Sequence, residues 1–220
     1  MVSISSKIFA ITGGASGIGA ATARLLAKKG AKAIWIGDLG SNNFSVIKKT
    51  LSGINSSTEV HCTALDVTSS REVNKWTQEI ISICGDIHGA ANCAGIPQAT
   101  GVRSAPTILE ETDKAWKKIL EVNLDGIFYC TRSQVQAMKD LKPMDRSIVN
   151  IASIASMVHT PDMYAYSVSK ASCAFFTQSV AKDAYPFGIR INVVSPGATS
   201  TPMLNKFIPT AKNAEELEAA

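Results

Sequence analysis

Residues 7–19 read KIFAITGGASGIG and are followed by AATARLLAKK over 20–29. Lys7 to Ile11 is a short apolar run, Thr12 to Gly19 a glycine turn, and Ala20 to Lys29 a helical stretch with Ala23, Leu26 and Ala27 on one face. Strand, glycine turn and helix in that order form the opening unit of an open α/β sheet that grips a dinucleotide. The glycines serve different ends, since Gly13 allows the tight turn, Gly17 lets a pyrophosphate approach the backbone, and Gly19 lets the helix pack against the strand. Ser16 and Ile18 belong to the same candidate cradle. The spacing is TGxxxGxG rather than GxGxxG, and a glycine turn without a ligand stays open as the alternative.

Working outward, Lys32 to Gly37 reads as the second strand and ends at Asp38. A carboxylate about 20 residues past the glycines can accept hydrogen bonds from an adenosine ribose, and it repels a 2′-phosphate. No Lys or Arg stands at Ser16, Leu39 or Gly40, so the local chemistry favours NAD over NADP. A turn-forming Asp in Asp-Leu-Gly-Ser is the competing reading. Asn42 to Leu51 reads as a helix and Glu59 to Leu65 as a third strand, closing on Asp66-Val67. If the third strand lies beside the second, Asp66 can reach an adenine; otherwise it is a surface turn residue. Thr68 to Ser70 caps a helix over Arg71 to Cys84 with a stripe of Val73, Trp76, Ile80, Ile81 and Ile83.

Ile87 to Asn92 is a strand of small residues running into Cys93, Ala94 and Gly95, where small side chains leave room for a cofactor and Asn92 can tie neighbouring strands through its amide. Ser104 to Thr112 reads as a loop. Asp113 to Lys139 is helical, with a break near Asn123-Leu124-Asp125-Gly126 that singles out Asn123. Ser147 to Ile151 is a strand that delivers Ser153 to the carboxyl edge of the sheet, with Ser156 as its rival. Tyr164 to Tyr185 is a helix with an expected apolar face of Ala171, Ala174, Phe175 and Val180. It bears Tyr166 and Lys170, four residues apart and on one face, so the ammonium is expected to favour the phenolate. Ile189 to Val194 is a sixth strand, after which come Pro196, Gly197, Thr199 and Thr201. Six strands alternating with helices predict a doubly wound parallel sheet, a three-layer αβα Rossmann fold.

Composition sets the bounds. At 220 residues, 45% hydrophobic and 18% charged, the chain reads as one globular domain over 1–220. A net charge of +4 without a basic stripe gives nucleic-acid binding little support. The five cysteines lack a CxxC pair, so no metal site and no disulfide scaffold is expected. Neither a signal peptide nor an apolar run long enough for a membrane span is found, which points by elimination to the cytoplasm.

With these motifs assembled, the chain resembles the short-chain dehydrogenase/reductase family from about Lys7 to Met203, through TGGASGIG, Asp38, Asp66-Val67, NCAG, Asn123, Ser153, YSVSK and PGATSTPM. Its general wording is similar to fungal members of secondary metabolism. The resemblance implies an NAD-dependent oxidoreductase that interconverts a secondary alcohol and a ketone, or a comparable hydroxyl and carbonyl, in a small, apolar metabolite. By the same resemblance Tyr166 is the acid/base, Lys170 lowers its pKa and binds the nicotinamide ribose, Ser153 orients the substrate oxygen, and Asn123 holds a water. Asn92, Ala94, Gly95, Pro196, Gly197, Thr199 and Thr201 join the glycine turn, Asp38, Asp66 and Val67 as cofactor contacts, with Ile11 and Val194 in the same cleft. A homo-oligomer, dimer or tetramer, is implied through the 113–139 and 164–185 helices. Substrate selection is assigned to residues 96–106, 154–163 (Met157, His159 and Met163 among them) and a substrate loop over 198–220. The family continues past its PG motif to a seventh strand, which is expected to be missing here. That leaves a nucleotide-binding protein without turnover as the alternative.

Overall fold

The computed structural model describes residues 3–98, 104–142, 145–159 and 161–204. Six strands, β1 (Ile8–Thr12), β2 (Ala33–Asp38), β3 (Glu59–Ala64), β4 (Gly89–Asn92), β5 (Arg146–Ile151) and β6 (Ile189–Val194), form one sheet in the order β3-β2-β1-β4-β5-β6. Every pairing is parallel. Side-chain alternation in β1 shows why both faces are covered. Ile8 and Ala10 pack with Trp76 and Ile80 of α3 (Ser70–Cys84) and Cys130 and Met138 of α5 (Gly126–Lys139). Phe9 and Ile11 pack on the other face with Ala20, Ala23 and Ala27 of α1 (Gly17–Lys28) and with Ile47 and Leu51 of α2 (Phe44–Ile54). Strands buried on both faces carry continuous apolar runs, as IFAIT does. The predicted doubly wound sheet is therefore the observed one.

Strand order reverses at β1, whose neighbours are β2 and β4, and the crevice at this switch point is where such sheets take ligands. The remaining helices serve that edge. Helix α3 starts where Ser69 Oγ accepts the N–H of Glu72, and it stops at Gly85, whose φ of 75° suits glycine. Ile83, counted into its stripe, is exposed because the helix turns it away from the sheet. The predicted break in the 113–139 stretch is a single wide π turn, Glu121–Asp125, between α4 (Asp113–Leu120) and α5. Such turns insert one residue without ending the helix. The 104–112 loop contains a short 3₁₀ turn, Thr107–Glu110.

Helix α6 (Tyr164–Ala184) differs from its sequence reading. Ala171 and Phe175 are exposed, and Ala174 and Val180 only partly buried. The buried face holds Ala165, Tyr166, Ser169, Lys170, Cys173, Thr177 and Ala184. Hydrophobicity alone selects the wrong face, because the inward face carries the polar groups of a cleft and of a buried hydrogen-bond network. The substrate assignments over 99–103 and after Leu204 fall outside the described residues.

At the opposite end of the sheet, the buried Arg146 places Nη2 3.0 Å from both oxygens of Asp86 and Nη1 2.7 Å from the Lys142 carbonyl. His88 lies beside this pair and accepts the N–H of Ile8 on Nδ1 at 3.2 Å, so the neutral ring is the one that fits. Burial lowers the His88 pKa, with Arg146 and Lys7 acting the same way, against an opposing pull from Asp86. The unfolded chain therefore binds a proton at a higher pH than the folded one. The stability due to neutral His88 is complete above the ordinary value of 6.5 and is lost as pH falls through the window below it. Denaturant midpoints of the native chain should fall more steeply from neutral to mildly acid pH than those of His88→Gln. Parallel pH profiles would contradict this.

Candidate active site

The glycine turn is built for close approach. Gly13 has φ +63°, and a Cβ there would come within 2.7 Å of the Ala94 nitrogen; one on Gly19 would overlap the Gly13 carbonyl oxygen. Any larger residue would close the crevice between β1 and β4. Gly17 has φ +49° and lies against Thr201, whose methyl a Cβ would meet at 3.3 Å. Asp38, at the carboxyl end of β2, accepts the Ala15 N–H on Oδ2 at 3.0 Å. The carboxylate thus braces the glycine turn, not a local turn of 38–41, and lines the cleft. Strand β3 does lie beside β2, and Asp66 and Val67 line the same cleft. Oδ1 of Asp66 accepts the N–H and hydroxyl of Thr68 at 2.9 and 2.8 Å, closing a local turn.

One continuous cavity of about 770 Å³ runs from this end to the ends of β5 and β6. Gly13, Ser16, Gly17, Ile18, Gly19, Ala94, Gly95, Pro196, Gly197, Thr199 and Thr201 all line it, as do Ser153, Tyr166 and Lys170. Asn92 does not. Its amide is fully buried and exchanges hydrogen bonds with Gln134 (2.9 and 2.8 Å) and donates to Asn150 (2.9 Å), so its side chain ties strands and helix together away from the cleft. Ile11 is wholly core and Val194 lies outside the lining, which removes both from the cleft. Ser156 is also outside it, leaving Ser153 as the serine of the site. Met163 and Val158 line the cavity, whereas Met157 and His159 are exposed loop residues.

Tyr166 is 7% exposed. Burial pushes its phenol up from the ordinary value, and a hydrogen bond with Ser153 pulls the other way. The expected lowering by Lys170 does not dominate. Its Nζ is held by the Ile151 carbonyl at 2.9 Å, 5.7 Å from the centre of the Tyr166 ring, and burial lowers the lysine's own pKa. Cys93, also on the cleft, is pushed up to about 12 by burial and is a thiol. Asn123 sits fully buried in the π turn, where its amide clasps the backbone of Ile96: Oδ1 accepts the N–H at 2.8 Å and Nδ2 donates to the carbonyl at 3.0 Å. A Cβ on Gly95 would come within 3.2 Å of Asn123 Oδ1 and 3.6 Å of Lys170 Nζ, so this glycine is the gap between them. One contact had no signal in the sequence: the N–H of Tyr166 donates to Gln98 Oε1 at 3.0 Å. Among the described residues, no group of three or more His, Cys, Asp or Glu side chains could hold a metal ion, and no helix is long and apolar enough to cross a membrane.

A parallel sheet with a dinucleotide cradle at its switch point, and a Ser, Tyr and Lys at the end of the same cleft, defines an α/β oxidoreductase. The family model described as short chain dehydrogenase matches residues 7–212, and the chain belongs to the short-chain dehydrogenase/reductase family. Chanoclavine-I dehydrogenase of Arthroderma otae is 62% identical over 99% of this chain and 84% of its own length. That of Aspergillus fumigatus is 58% identical over the same shares of the two chains. Among solved structures, NAD+-bound xylitol dehydrogenase superposes with a TM-score of 0.80 at 27% identity, covering 89% of this chain and 72% of the other. The chain is an oxidoreductase that acts on an alcohol group.

Proposed function

We propose that the chain is an NAD(H)-dependent dehydrogenase that interconverts an alcohol and a carbonyl in a small, largely apolar metabolite, the alcohol being chanoclavine-I or a close relative of it. The observation that carries this reading is the convergence of Ser153, Tyr166 and Lys170 on a cleft whose other end is a glycine cradle. The substrate follows from the activity for which the 62% identical relative is named.

The residues present fit the cofactor. Gly13 and Gly19 let the turn pack tightly against Ala94 and against itself, and Gly17 leaves bare backbone at the N-terminus of α1 that would receive a pyrophosphate. Asp38 would accept from the ribose and disfavour a 2′-phosphate, and Asp66 and Val67, which line the same cleft, would flank the adenine. Thr199, Thr201 and Lys170 hold the nicotinamide end. When bound, the cofactor accepts or supplies the hydride.

The side chains handle the proton. Ser153 holds the substrate oxygen, and Tyr166 takes the hydroxyl proton or returns it. Raised by burial, Tyr166 rests as the neutral phenol and is ready to donate towards a carbonyl oxygen. Oxidation requires its phenolate. The Ser153 hydrogen bond favours that form, and Lys170, held by the Ile151 carbonyl, is the cation nearest to it in this cluster.

The same reading includes assembly. Val168, Ala171 and Phe175 make an exposed apolar row on α6, with Phe175 75% exposed. This row and Phe128 of α5 form the surface for a second copy. Sedimentation should show a dimer or tetramer that Phe175→Asp weakens to monomer; a monomeric native chain would contradict it. For the chemistry, Tyr166→Phe should lower turnover of chanoclavine-I by about a hundredfold or more and leave NADH affinity unchanged. Retained turnover in that variant would exclude the assignment.

A further inference from the structure

Tyr166 lies in the first turn of α6, where backbone N–H groups have no partner within the helix. Met163, at the N-cap position, provides no side-chain bond. The N–H of Tyr166 donates instead to Oε1 of Gln98, in the segment that follows β4, 68 residues earlier. Gln98 is 1% exposed, and its Nε2 donates to Oε2 of Glu111 at 2.6 Å. Resting on the reading of Tyr166 as the proton carrier, we propose that Gln98, oriented by Glu111, is a positioning residue that fixes Tyr166 for proton transfer.

The orientation of the amide follows from what its partners can do. A carboxylate only accepts, so the NH₂ of Gln98 must face Glu111, and this leaves Oε1 facing the Tyr166 N–H. Both partners demand the same orientation, since the Tyr166 N–H can only donate and the Glu111 carboxylate accepts. The charge on Glu111 also polarises the amide and strengthens Oε1 as an acceptor. The result is a relay from carboxylate to amide to the backbone of Tyr166.

A second contact from the same segment acts on the same turn. The hydroxyls of Thr107 and Tyr164 are 2.8 Å apart. Residues 104–112 therefore meet the start of α6 directly through Thr107 on Tyr164 and, by way of Glu111 and Gln98, at the backbone of Tyr166. The rest of α6 is secured elsewhere by its buried face and by Thr177, so removing Gln98 loosens the first turn without undoing the helix. A displacement of about 1 Å at a reacting group can cost about a hundredfold in rate. The hydrogen bond between Tyr166 and Ser153 is the feature that such a displacement would spoil first.

The test compares Gln98→Ala and Gln98→Glu with the native chain, using NAD+ and chanoclavine-I. Gln98→Ala should reduce kcat by about tenfold or more while KM and NADH affinity stay near native. Gln98→Glu separates positioning from packing. When protonated, its carboxyl can donate to Glu111 and still accept from Tyr166; when ionised, it faces Glu111 as a like charge. Its kcat should approach the native value towards acid pH and fall as pH rises, a limb absent from Gln98→Ala. A kcat of Gln98→Ala within about twofold of native, or the same pH profile in both variants, would overturn the proposal. So would a kcat loss matched by an equal loss of NADH binding, which marks a structural role. Amide hydrogen exchange at Tyr166 reads the contact without substrate: it should accelerate in Gln98→Ala, and unchanged exchange would refute the contact itself. Absence of turnover by the native chain together with accelerated exchange would instead count against chanoclavine-I as substrate and leave Gln98 as the cap of Tyr166.

Discussion

Five buried polar side chains hold the working edge of this sheet together. Asn92 on β4 and Asn150 on β5 share a hydrogen bond, Gln134 of α5 pairs with Asn92 in both directions, and Thr177 of α6 accepts from Asn150. Thr131 adds a further donor to Asn150. Each bond contributes about 1 kcal/mol net, but leaving any partner unsatisfied costs about 1–3 kcal/mol, so the set is held as a unit. Its consequence is positional. The strand that delivers Ala94 and Gly95, the strand that delivers Ser153 and the helix that carries Tyr166 and Lys170 are locked to one another through this network.

That arrangement explains which parts of the molecule could be read from residues alone. The six strands, the glycine turn, Asp38, Ser153 and the Tyr166–Lys170 pair are written in local patterns: short apolar runs, glycines at fixed spacing, and i,i+4 placement. Asn123 was detectable because Asn and Gly interrupt a helical pattern, although its clasp on Ile96 was not. The inward face of α6 was not legible, since Ser169, Lys170 and Thr177 are buried for reasons of hydrogen bonding and chemistry that hydrophobicity cannot report. Asn92 could be read as a strand tie, and the structure gives it that role while keeping its side chain out of the cleft. Gln98 reads in sequence only as part of the 96–106 substrate segment, whereas it lies outside the cavity lining, and its bonds could not be foreseen because the partners are 13 and 68 residues away.

Burial acts on both members of the Tyr166–Lys170 pair in the direction of neutrality, raising the phenol and lowering the ammonium. An isolated Tyr and Lys on a helix surface would do neither. The site answers with specific contacts, the Ser153 hydroxyl on the phenol and the Ile151 carbonyl on the ammonium. Its chemistry is therefore set by fixed dipoles at buried atoms, which are worth more there than in water. Positioning then matters as much as acidity, and three polar side chains that never need to react, Asn92, Asn123 and Gln98, serve it.

The proposed activity stands on a glycine cradle and Asp38 selecting a nicotinamide cofactor without a 2′-phosphate and presenting it to Tyr166. Titration of the chain with NADH and, separately, NADPH, followed by tryptophan quenching or heat, measures that selection. Tight binding of NADH with much weaker binding of NADPH is the expected result. Equal binding of the two, or preference for NADPH, would contradict the role given to Asp38, and binding of neither would contradict the cradle.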